Sequence, residues 1–131
     1  MVIVLKDGSK ILVAYDGSDY AKRAIEEAAE VTKKFSGSMT VLHVPWEESD
    51  NHSHNILAGA TQDLRNTGIK YNTRSERDAN IPRRILRIAS EESYDLIVIG
   101  SRGMGGAKAW LLGSVANVIV NEATCPVLIV R

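Results

Sequence analysis

Apolar positions along the chain follow two alternating rhythms. Short continuous runs are rich in β-branched residues: KILVAY at 10–15, TVLHV at 40–44, DLIVIG at 95–100 and PVLIV at 126–130. Such runs read as strands, and DLIVIG as one buried on both faces. IKYNTRS at 69–75 alternates apolar and polar residues and reads as a strand nearer an edge. Between these runs the period changes to that of a helix. Ser18 is placed to cap a first helix, on which Ala21, Ala24, Ile25, Ala28, Thr32 and Phe35 share a face and Gly37 is the stop. PWEESDNHSH at 45–54 reads as a polar loop. A second helix covers about 55–67 and ends at Gly68. Asn80 and Pro82 open a third, with Ile81, Ile85, Ile88 and Ala89 on one face, and a fourth runs from Ser114 to about Glu122. Strand and helix alternate through five strands, which predicts an α/β domain: a parallel sheet with helices on both faces. The opening MVIVL forms a candidate extra strand, turned back at Asp7-Gly8 or paired at an edge or with a second subunit.

The 131 residues, 44% of them hydrophobic, suit a single domain over 1–131 with a real core. Sixteen acids balance sixteen bases, so bulk charge supports binding to neither nucleic acid nor a membrane. Locally the balance shifts: residues 16–50 carry eight acids and four bases, residues 63–88 three acids and seven bases. The basic stretch reads as solvated surface. The single cysteine, Cys125, excludes an intrachain disulfide and reads as a small buried filler ahead of the last strand. With no leader-like start and no membrane-length apolar run, a cytoplasmic protein is expected.

The stretch GSRGMGGAKAWLLGS, residues 100–114, starts where one strand stops and ends where a helix begins. In open α/β sheets, ligands sit beyond the carboxyl ends of the strands. A helix opening at Gly113-Ser114 offers unpaired N–H groups and partial positive charge to a phosphate. The better-known phosphate loops do not fit. A Walker A loop counted from Gly100 meets Gly106 where it needs lysine, and a dinucleotide fingerprint counted from Gly103 meets Lys108 where it needs glycine. What remains is Gly100, two residues, Gly103, nine residues, Gly113-Ser114. The nine residues read as a flap or short helix, with Trp110 and Leu111 packed beneath and Lys108 reaching a phosphate. Arg102 and Lys108 either neutralise phosphate or lie exposed. Asp16 in DGSD is a binding carboxylate or a turn former. His43 reads as a core histidine. His52 and His54 lack a fixed third ligand, so no metal site is expected there. Trp46 borders a base or anchors a loop.

That glycine spacing resembles the ATP-binding signature of the universal stress protein family. ILVAYDGSDYAKRAIEEA, TVLHV, DLIVIGSRGMGG and LLGSVANVIVNEATCPVLIVR are similar to the family's elements, so the resemblance covers about 10–131 and is weakest over 46–80. It implies a Rossmann-like sheet of the adenine nucleotide alpha hydrolase type, with strand order 3-2-1-4-5. It also implies a homodimer formed through the last strand, which opens at Pro126 and ends at Val130. An adenine would lie near Val44, with Asp16 by the base and ribose and Ala14 and Tyr15 beside it. The phosphates would lie on Gly100, Ser101, Arg102, Gly103, Gly113, Ser114 and Val115. The implied ligand is ATP or AMP, with Mg²⁺ carried by the nucleotide and reached by Asp16. The implied function is an adenine-nucleotide sensor or switch in stress response. A slow ATP hydrolase using the same site, or a dimeric scaffold without nucleotide, are the alternatives. Efficient turnover is not expected, because no general base, second acidic metal ligand or arginine finger is marked in the sequence.

Overall fold

The computed structural model describes residues 5–45, 50–103 and 111–131, and of residues 50–53 only the backbone. Ten elements follow in order: β1 (Lys10–Ala14), α1 (Asp19–Lys34), β2 (Ser38–His43), α2 (Asp50–Thr61), a 3-10 turn (Gln62–Leu64), β3 (Lys70–Ser75), α3 (Ile81–Glu91), β4 (Leu96–Gly100), α4 (Ser114–Glu122) and β5 (Val127–Val130). The strands form one sheet in the order β3-β2-β1-β4-β5, and all four pairings are parallel. Both the sheet and its order agree with expectation.

Strand alternation divides the core in two. Ile11, Val13, Met39, Val41, Leu96 and Val98 face α1 and α2. Leu12, Ala14, Leu42, Ile97 and Ile99 face α3 and α4. β1 and β4 are buried on both faces, which is why they read as unbroken apolar runs. β3 is the polar edge, with Arg74 held by Glu92 at 2.7 Å and by Glu76 at 2.8 Å. Those two carboxylates raise the Arg74 pKa. Arg84 pairs with Asp78 and Arg87 with Glu91, so the basic stretch meets acids of its own surface.

Local chemistry sets the helix ends. The Ser18 hydroxyl accepts from the Ala21 N–H at 3.1 Å, with Asp19 in the first turn of α1 and Lys33 and Lys34 in the last. Phe35 is the C-cap of α1 and only half-buried. Gly37 does not supply the turn that ends α1. Ser36 takes the left-handed conformation there, with φ of 49°. A Cβ on Gly37 would collide with the Ser9 carbonyl, so this glycine lets the chain pass close to the start of β1. The second helix begins earlier than expected, at Asp50, which shortens the polar loop from the 45–54 expected. It also gives way sooner, to the 3-10 turn after Thr61. Of MVIVL only Leu5 is described; it packs against the α1 side of the core. No described helix is long and apolar enough to cross a membrane.

α1 crosses β4 in close contact. A Cβ on Gly100 would sit 2.8 Å from Tyr20 Cβ and 2.9 Å from the Tyr20 carbonyl carbon. Gly100→Ala therefore forces backbone apart and is expected to cost about 1–3 kcal/mol, visible as a melting temperature lower by several degrees. Cys125 is half-buried, and burial, with Asp95 nearby, raises its thiol pKa. Its thiolate is accordingly scarce at neutral pH. Iodoacetamide should label native Cys125 at least about threefold more slowly than the unfolded chain, and equal rates would contradict that reading.

Candidate functional site

The strand order reverses between β1 and β4, and the chain leaves their carboxyl ends in opposite directions. A cleft of about 540 Å³ opens at that point. Its apolar end is formed by Ala14, Leu42 and Val44 from the ends of β1 and β2, with Ile81 and Ile85 from the first turns of α3. Its polar end is formed by Asp16, Arg102, Gly103, Gly113 and Ser114.

Each polar group is held by its local sequence. Asp16 follows β1, and its Oδ1 accepts from the Ser18 N–H at 2.9 Å, closing the turn that starts α1. Gly17 makes that turn with φ of 91°. The turn-forming reading of Asp16 is thus realised by one oxygen, while Oδ2 faces Gly103. Tyr15 is buried, donates its N–H to the Leu42 carbonyl at 2.8 Å and lines the cleft. Burial first, then Asp16 and Asp19, push its phenol pKa up, so it stays neutral at ordinary pH. Arg102 donates from one guanidinium nitrogen to the Leu111 carbonyl at 2.9 Å, tying the two ends of the glycine-flanked connection together.

α4 differs from α1 and α3 at its start. Ser18 and Asn80 cap those two with side-chain oxygens, whereas the N-cap of α4 is Gly113, with no side-chain cap. The first-turn N–H groups of Ser114, Val115 and Ala116 therefore open on the cleft that these residues line. Ser101 joins this helix to the sheet. Its N–H donates to the Val130 carbonyl and its carbonyl accepts from the Gly113 N–H, both at 2.7 Å.

Ten of the eleven expected site residues line the cleft: Ala14, Tyr15, Asp16 and Val44 at the ends of β1 and β2, and Gly100, Arg102, Gly103, Gly113, Ser114 and Val115 along the glycine connection and α4. Ser101 does not line it. That residue is buried, and its hydroxyl has no hydrogen-bond partner. Leu111 is not packed beneath a flap: it is 41% exposed and lines the cleft together with Leu112. Trp46, Lys108 and Trp110 lie outside the described residues. His43 is buried in β2 and does not line the cleft, and His54 is exposed. The described residues hold no cluster of three metal-ligating side chains.

Sequence reasoning missed Leu42, Ile81 and Ile85, because apolar residues at helical spacing read as core. A topological signal was available for the two isoleucines. α3 follows a parallel strand and runs back along the sheet, so its first turn must lie at the ligand end.

The family model described as the universal stress protein family matches residues 9–131. The universal stress protein YxiE of Bacillus subtilis is 31% identical over 147 residues, covering 94% of this chain and 99% of its own. A solved universal stress protein in complex with cAMP is similar at a TM-score of 0.78 and 25% identity, over 96% of this chain and 98% of its own. The universal stress protein from Archaeoglobus fulgidus in complex with dAMP has the same fold, with a TM-score of 0.75 at 22% identity over 99% and 100% of the two chains. Sheet order, glycine spacing and a match over nearly the whole chain agree, and the chain belongs to the universal stress protein family.

Proposed function

We propose that this protein binds an adenine nucleotide, ATP or AMP, in the cleft between β1 and β4, and works as a homodimeric sensor or switch in stress response. One observation carries the reading. A single cleft has an apolar end wide enough for a base and, opposite, a helix whose first N–H groups no side chain caps. Leu42, Val44 and Ile85 take the base, and the α4 terminus with Gly113 and Ser114 takes phosphate. Asp16 is within reach of a divalent ion carried by the nucleotide. The cAMP and dAMP complexes of similar proteins support this ligand class.

The dimer follows from the contrast between the two sheet edges. β3 is polar, but β5 (VLIV) is apolar and half-buried over three of its four residues. An apolar edge of that kind is a pairing surface, and a second copy of the strand fits it.

Calorimetric titration of Mg-ATP into nucleotide-stripped protein should give a dissociation constant of micromolar or tighter, about −8 kcal/mol. No heat, and no competition at millimolar nucleotide, would leave the glycines a purely structural role and favour the scaffold. The pairing is tested separately. Pro126 and Val130 turn their carbonyls to β4, so the backbone of Ile129 faces the free edge. Ile129→Pro removes an outward N–H without breaking the β4 ladder. Light scattering after size exclusion should show two chains for the wild type and one for the variant.

A further inference from the structure

Asp16 stands against the glycine connection at the polar end of the cleft. A Cβ on Gly103 would lie 2.7 Å from Asp16 Oδ2, and one on Gly113 would lie 3.7 Å from the Gly103 nitrogen. The carboxylate, Gly103 and the α4 N-cap thus form one cluster. The bond from the Ser18 N–H to Oδ1 fixes the direction of the carboxylate. One negative charge is therefore held beside the helix amides that attract an anion.

Few charges balance it. Among the described residues that line the cleft, Asp16 and Arg102 are the charged ones. Between Gly103 and Gly113 the sequence adds one further cation, Lys108. The α4 terminus contributes roughly half a positive charge. A nucleoside monophosphate carries about two negative charges and a metal-free triphosphate about four. Two cations and a helix terminus, set against one carboxylate, suit the monophosphate. The outer phosphates of a bare triphosphate bring further negative charge to the side where Asp16 stands. A divalent ion on the triphosphate removes about two of those charges and turns the carboxylate from repulsive to attractive.

We propose that Asp16 is a charge filter. It makes the cleft prefer AMP to metal-free ATP, and it makes ATP binding depend on a divalent cation. This rests on the nucleotide reading above and adds to it a ligand preference and the residue that sets it.

The test is calorimetry on the nucleotide-stripped full chain with AMP, with ATP in EDTA and with ATP in excess Mg²⁺. AMP should bind at least about tenfold more tightly than ATP in EDTA, and Mg²⁺ should close most of that gap. Asp16→Asn keeps an oxygen for the Ser18 N–H and removes the charge. It should reduce the ratio of the metal-free ATP constant to the AMP constant at least about fivefold, with an unchanged far-UV circular dichroism spectrum. A second readout needs no variant: raising salt from about 0.05 to about 0.5 M should narrow the wild-type gap, because the carboxylate is exposed and screened. Metal-free ATP binding as tightly as AMP, or a ratio unmoved in Asp16→Asn, overturns the filter and leaves the nucleotide reading standing. Failure of all three ligands to bind overturns both.

Discussion

Close contact between the first turn of α1 and the last residue of β4 is the constraint on which the site depends. Only a residue without a side chain lets Tyr20 rest on β4 at Gly100. Because that turn is fixed, the loop from β1 must be short, and Gly17 with its positive φ and Ser18 with its capping hydroxyl make it so. Asp16 is thereby set beside the end of β4. From Gly100 the chain passes to Ser101, whose two backbone bonds reach β5 and the α4 N-cap. Sheet, α1 and α4 meet within a few residues, and the cleft is the space between them.

The glycines of the 100–113 spacing take a meaning from this that the sequence did not suggest. Glycine where a ligand is expected invites the idea that the ligand needs the room. In the structure the nearest neighbour of each is protein: Tyr20 at Gly100, Asp16 at Gly103, and the Ser101 carbonyl, at 3.3 Å, at Gly113. The spacing encodes the close packing that assembles the cleft. A substitution at these positions acts on the walls before it acts on anything bound between them. Gly100 is the strictest of the three, since its close neighbours include backbone atoms that no rotamer change can move.

Features decided within a few residues of sequence were legible, and features decided by distant contacts were not. The caps at Ser18 and Asn80, the buried runs of β1 and β4 and the polar edge β3 each follow from local pattern. The reason for Gly37 does not, because the carbonyl it accommodates belongs to Ser9, across the β1–β2 register. Ser101 reads as one more residue of a binding motif, yet its side chain turns out buried while its backbone does the joining. Ile81 and Ile85 read as core, and Ile85 is core. What periodicity cannot tell is that the first turns of α3 stand where the sheet leaves a gap.

That overlap of core and cleft links occupancy to stability. Leu42, Val44, Ile85 and Ala116 line the cleft and also belong to the cluster that packs α3 and α4 on the sheet. A base seated there extends the core on that face and leaves the α1–α2 face untouched. Ligand present at a hundred times its dissociation constant stabilises the native state by about 2.7 kcal/mol, a sizeable share of the stability of a domain this small. The gain falls on α3, α4 and, through Ser101, on the end of β5. A nucleotide in this cleft would firm the layer next to the apolar edge, so one peptide unit connects the ligand end of the sheet to the surface on which a second copy can pair.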